Sequence, residues 1–252
     1  MGIIMRWVQL SDIHFQTKTP TYNTKQLRDK LPSYLKKIGG QFNVMLVTGD
    51  FRYAPDKEEN PAKVVEYIKD LARSINIETQ NIVTVPGNHD LTRNGVRRAV
   101  ISEVRTNYRP EEGTLETSIL EELQKGFKFY DCLHDQLKDA SEWKDNNPHG
   151  VLEMEGCNFL LLNTALTAGT DDDEYKLVIG SSYLDAAVSS IKKGKPIIAI
   201  GHHGFEFLKH EEKKLANVIL NSIILGYICV DIRMIRGLRL LVKMGNRLIV
   251  VA

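Results

Sequence analysis

Four short apolar runs, each broken off by residues able to bind metal or move protons, constrain this chain more than any other feature. Trp7-Val8-Gln9-Leu10, with Ile3-Ile4 before it, stops at Ser11-Asp12-Ile13-His14. Val44-Met45-Leu46-Val47 stops at Thr48-Gly49-Asp50. Asn81-Ile82-Val83-Thr84-Val85 stops at Pro86-Gly87-Asn88-His89-Asp90, and Pro196 to Ile200 stops at Gly201-His202-His203-Gly204. Continuous apolar runs of this length are the pattern of strands covered on both faces. Between the first three lie two amphipathic segments. Residues 24–38 carry Leu27, Leu31, Leu35 and Ile38 near helical spacing and end at Gly39-Gly40, and residues 61–75 carry Val64, Val65, Ile68, Leu71 and Ala72. The order β-α-β-α-β predicts an α/β fold with helices layered on a sheet. In such sheets ligands bind beyond the carboxyl ends of the strands, where these clusters fall. Gly87 is expected to supply a sharp turn there.

Later segments are plainer. Residues 93–145 are polar and helical in pattern, with Leu120, Leu123, Phe127, Tyr130 and Leu133 as a buried stripe, and read as an excursion packed on the sheet edge. Residues 146–150 form a turn, and a hairpin around Gly156 follows. Thr170 to Glu174 read as a solvated acidic loop, because they lack the spaced ligands and glycine of a calcium loop. Residues 181–193 and 211–221 are expected to be helical. With no repeat and no linker, residues 1–252 read as a single domain.

Composition excludes several classes. A formal net charge of +1 does not announce a nucleic-acid binder, although a local basic surface stays open. Cys132, Cys157 and Cys229 lie far apart with no C-x-x-C spacing, which argues against a disulfide framework or thiolate zinc site. The start lacks the zones of a signal peptide. The longest apolar stretch, Val218 to Val230, is interrupted by Asn221, Ser222 and Gly226 and is too short to span a bilayer. A soluble cytoplasmic protein is expected.

Each polar cluster alone has an ordinary explanation. Asp-x-His is commonly surface polarity, Gly-Asp a turn, and a lone histidine a satisfied core residue. Four clusters, each directly after an apolar strand, make a shared site. On a strand, residues two apart share a side, so Asp12 and His14 are expected to face one metal. Carboxylate, imidazole and amide donors together suit manganese, iron or zinc.

Asp12-Ile-His14, Gly49-Asp50, Gly87-Asn88-His89-Asp90 and Gly201-His202 together resemble the ordered signature of the calcineurin-like metallophosphoesterases, over residues 3 to about 205. The resemblance implies two central β-sheets flanked by helices and two divalent metal ions, manganese first, with iron or zinc as alternatives. Asp12 and His14 would hold one metal, Asn88 and His202 the other, and Asp50 would bridge them. His89 would stand near the leaving group as a catalytic imidazole, oriented by Asp90, with His203 behind the ligands. The implied activity is hydrolysis of phosphate esters, foremost phosphodiesters of a nucleotide or nucleic acid. The alternatives are a protein phosphatase, or an inactive module that binds phosphate or a partner.

One piece of that signature is missing. The family closes with Gly-His-x-His, giving each metal a further ligand, and this sequence contains no such motif. Yet Ile228 to Met234 can be encoded ATT TGT GTG GAC ATA CGC ATG. Read from the third base, this gives TTG TGT GGA CAT ACG CAT, which is Leu-Cys-Gly-His-Thr-His. A frame shift between about residues 221 and 226, with residues 222–252 as its product, is therefore expected. The competing expectation is a divergent tail with Asp231 or His210 as substitute ligands.

Overall fold

The computed structural model describes residues 5–15, 22–53, 60–141, 143, 147–169, 172–222, 227–229, 240–244 and 247–251, with backbone alone for 22–24 and beyond Asn221. Ile3-Ile4, Asn146, Thr170-Asp171 and most of the expected frameshifted tail, Asp231 included, lie outside these residues.

The apolar runs become strands where the pattern places them: β1 (Trp7–Leu10), β2 (Val44–Thr48) and β3 (Ile82–Val85), every residue of which is buried. They pair in parallel in the order β3-β2-β1, linked by helices α1 (Tyr22–Ile38) and α2 (Ala62–Ser74). Helix α2 turns Val64, Val65, Ile68, Leu71 and Ala72 inward, the stripe read from the sequence. In α1, Leu31 and Leu35 are buried, whereas Leu27 is half exposed.

Residues 93–141 contain α3 (Gly95–Asn107), α4 (Thr117–Gln124) and α5 (Lys128–Leu137). Their end lies along β3, the edge strand of its sheet, where Ala140 N–H donates to Ile82 O at 2.8 Å. Covering an edge in this way removes a template for aggregation.

A second sheet has the order β4-β5-β6-β7. It holds the hairpin β4 (Gly150–Glu153) and β5 (Asn158–Leu161), then β6 (Ile197–Ile200) and β7 (Tyr227–Cys229), with β5, β6 and β7 parallel. Helices α6 (Ser181–Ser189) and α7 (His210–Ser222) precede β6 and β7. Strands β8 (Leu240–Met244) and β9 (Arg247–Val251) return to the first sheet, where β8 pairs antiparallel with β1. Between the sheets, Leu46, Val83 and Val85 form one apolar cluster with Phe159, Leu161, Ile198 and Ile200. A second, larger cluster joins the helices to the outer faces. This architecture sets the carboxyl ends of β1, β2, β3 and β6 at one end of a two-layer sandwich.

The acidic loop differs from expectation at one residue. Asp173 is buried, accepts the Gly169 N–H at 3.1 Å and pairs with Arg105, while its neighbours Asp172 and Glu174 are exposed as expected.

Candidate metal centre

β1 stops at Leu10, so Asp12 and His14 stand beyond the pleat rather than on it. Asp12, His14 and Asp50 take φ values of 55°, 44° and 55°. Side-chain-bearing residues rarely adopt this left-handed region, and such strain clusters at functional sites. Backbone bonds hold the conformation: Asp12 N–H donates to Gly49 O at 3.2 Å and His14 N–H to Asp50 O at 2.9 Å. The expectation that strand alternation aligns Asp12 with His14 is thus corrected. The turn aligns them, with His14 Nε2 3.5 Å from Asp12 Oδ1.

Asp50 is the hub. Its Oδ1 lies 3.4 Å from His202 Nε2, while Oδ2 lies 3.7 Å from His14 Nε2 and 3.9 Å from His89 Nε2. Two compact donor groups result, Asp12–Asp50–His202 and His14–Asp50–His89, with Asp50 common to both. Asn88 Oδ1 adds an amide oxygen 3.2 Å from His202 Nε2. The His14 and His89 rings meet edge to face at 4.6 Å. His210, exposed at the start of α7, belongs to neither group.

Two glycines allow this convergence. A Cβ on Gly87 would sit 2.3 Å from both the backbone nitrogen and Oδ1 of Asp50. A Cβ on Gly49, where φ is +83°, would sit 2.7 Å from His202 Nδ1. Gly87 itself has φ −111° and ψ 176°, an extended conformation open to any residue. Its need for glycine is therefore close approach to Asp50, not the sharp turn expected from the sequence.

Around the donors, two loops clamp each other. The Asp90 carboxylate accepts N–H bonds from Gly87, Asp50 and Phe51 at 2.9 Å each and from Arg52 at 3.3 Å. In return the Arg52 guanidinium donates to the carbonyls of His89 and Leu91 at 3.1 and 3.0 Å, and lies 4.5 Å over the Phe129 ring. Both carboxylate oxygens of Asp90 are thus engaged by backbone, and it shapes the loop that carries His89. No motif in the sequence pointed to Arg52, because its partners are carbonyls any residue could provide.

Electrostatics follow from this crowding. Burial opposes the charge on Asp50, yet His202, His89 and His14 hold its carboxyl well below the usual carboxylate range. Burial opposes protonation of His202 too, but Asp50 and Asp12 raise it to about 10. For His203, burial and the neighbouring His202 act together and push it down to about 3. Asp90 is driven up to about 7 by burial and by Asp50, against its N–H donors.

The donor chemistry fits divalent cations. His202 Nδ1 lies 2.8 Å from Thr48 O, an oxygen that can only accept, so Nδ1 carries the hydrogen and Nε2 faces Asp50 and Asn88. Metal-binding histidines are held in this way, with the second ring nitrogen bonded to a carbonyl or carboxylate. His203 packs edge to face on His202 at 4.7 Å and against Phe207.

An α/β sandwich with acidic and imidazole donors gathered at its strand ends frames a candidate metal site. The sequence profile of calcineurin-like phosphoesterases matches residues 5–226, and the chain belongs to that family. A protein of Bacillus subtilis (strain 168) named uncharacterized metallophosphoesterase-like protein YydB is 29% identical over 222 residues, spanning 83% of this chain and 44% of that protein. The chain thus spans less than half the length of this relative. The phosphopantetheinyl hydrolase PptH of Mycobacterium tuberculosis is similar at 14% identity and a TM-score of 0.39, over 85% of this chain and 76% of that one. Among the described residues, no helix is long and apolar enough to cross a membrane.

Proposed function

We propose that this centre binds two divalent metal ions, manganese first among them, and hydrolyses phosphodiesters of a nucleotide or nucleic acid. The observation that carries the reading is Asp50, whose Oδ1 faces His202 and whose Oδ2 faces His14. Asp12 with His14, and Asn88 with His202, would hold one ion each, and Asp50 would bridge them. When bound, the ions supply Lewis acidity that activates water and neutralises phosphoryl oxygens. The Asp50 carboxylate offsets the repulsion between the ions, while the neutral amide of Asn88 adds a donor without further charge. His89, on the partly open side of the centre, is placed to give a proton to the leaving oxygen. Asp90 acts on it through the loop backbone, and His203 backs His202.

We place the organic arm of a diester in a cavity of about 400 Å³ whose lining includes none of the metal donors. Pro86, one residue before Gly87, and Asn163, just past β5, line it together with Phe127, Tyr130 and Trp143. No lysine or arginine lines it among the described residues, and Asp131 stands at its wall. Its aromatic walls, with Asp131 and Asp135 beside the single imidazole of His134, suit the organic arm of an ester better than a second phosphate.

The test is metal content and turnover. The wild-type chain is expected to bind two manganese equivalents and to cleave bis(p-nitrophenyl) phosphate faster than p-nitrophenyl phosphate. Asp50→Asn is expected to lose turnover by about a hundredfold or more. Faster cleavage of the monoester or of a phosphopeptide would favour a phosphatase. The missing Gly-His-x-His supports a second reading, an inactive binding module, which absence of both metal and turnover would establish.

A further inference from the structure

The loop after β5 contacts both consecutive histidines of the β6 terminus through one hydroxyl. Thr164, fully buried, accepts the His202 N–H at 3.1 Å and the His203 N–H at 2.8 Å on its Oγ1. Successive N–H groups that converge on one point form a concave cradle for an oxygen. Here a side chain fills it. Gly201 permits the approach, since a Cβ there would lie 2.9 Å from Thr164 Cγ2. The His202 ring is fixed independently from the other sheet by Thr48 O.

The residues directly after Thr164 are in turn fastened from the helical excursion. Arg97, on α3 and 2% exposed, donates from Nη2 to Leu166 O at 2.8 Å and Ala168 O at 2.9 Å, and from Nη1 to Leu123 O at 2.7 Å. Burying a guanidinium is costly, and these carbonyls compensate it only while residues 165–168 keep their present path. A chain of direct contacts therefore runs from α3 through this loop to the backbone of His202.

We infer that Thr164 is a positioning residue for His202, and that Arg97 makes the excursion part of the support of the metal centre. The inference rests on the reading of His202 as a ligand, and its test separates the two. Thr164→Val keeps the shape but leaves two buried N–H groups without an acceptor, whereas Thr164→Ser keeps the oxygen. The first readout needs no metal: the ring Nδ1–H signal of His202 in nuclear magnetic resonance, with the His134 ring as a folding control. Thr164→Val is expected to lose or shift the His202 signal, while Thr164→Ser keeps it. The second readout is cobalt(II) titration. The valine variant should weaken one of two binding steps by about tenfold or more, with serine restoring it. Arg97→Lys, with Thr164 intact, should move the same signal and weaken the same step several-fold, and it decides the matter if Thr164→Val does not fold. An unchanged His202 signal in Thr164→Val, or in Arg97→Lys where that variant must decide, overturns the inference. If wild type binds no cobalt, the functional reading fails while the His202 signal still decides the role of Thr164.

Discussion

Gly87 leaves no room for a side chain beside Asp50. Its α-hydrogen faces Asp50, and a methyl group there would lie 2.3 Å from two Asp50 atoms. Gly87→Ala is expected to destabilise the chain by about 1–3 kcal/mol, an overpacking cost measurable by urea denaturation. It should also displace the Asp50 carboxylate and reduce the affinity of the proposed centre for metal. Gly95, the first residue of α3, has nothing within 4 Å of its Cβ position. Gly95→Ala is therefore expected to be neutral or to stabilise by about 0.5 kcal/mol through the unfolded state. The sequence marked Gly87 as special but for the wrong reason, because apposition of two loops leaves no local trace. Asp12, His14, Asp50, Asn88, His89 and His202 were legible, since each follows directly on an apolar run. Arg52, Arg97 and Thr164 were not, because they act on backbone groups that every sequence possesses.

At the level of elements, the α5 region and β3 share a buried polar network with a consequence for pH. Thr84, in the middle of β3, donates from Oγ1 to Asp139 and meets the Tyr130 hydroxyl at 2.8 Å. Its N–H donates to Ser141 Oγ at 2.7 Å, and the Ser141 hydroxyl returns to Thr84 O at 3.1 Å. The network ends at His134, whose Nδ1 lies 2.7 Å from Asp139 Oδ1. The bond to Asp139 raises the His134 pKa above its ordinary 6.5 despite burial, and Asp135 and Asp131 act in the same sense. The folded state thus holds this proton more tightly than the unfolded chain. The stabilisation is complete below 6.5 and is lost as pH rises through the higher folded value. Thermal unfolding of wild type compared with His134→Gln from pH 6 upward should show the gap narrowing. The helices and strands themselves were readable from periodicity. The threonine in β3 was not, because an apolar run hides one residue that turns outward to an edge.

For the whole molecule, the relation of β7 to β6 gives the missing motif a place. β7 pairs in parallel with β6, the strand that ends at His202, and the family match stops at residue 226, just before β7. A Gly-His-x-His following a strand in that position would reach the same end of the sandwich. We therefore keep the proposal that residues 222–252 derive from a shifted frame. Sequencing the coding DNA of residues 221–252 is expected to reveal Gly-His-x-His in the alternative frame. A gene with no such motif in any frame would leave the divergent tail as the answer.

The position of His202 also bears on how the molecule comes apart. Its backbone follows β6 of the second sheet, while its ring bonds Thr48 O, at the end of β2 in the first, and faces Asp50 just beyond β2. Ions held jointly by these groups would rivet the two sheets at one end, as a ligand bound only to the folded state must. Manganese should then slow amide exchange at the carboxyl ends of β2 and β6 together, and leave α2 and α6 nearly unchanged. Chelation would unzip the sandwich from the end that carries the donors, so loss of the proposed activity and the first step of unfolding would be one event.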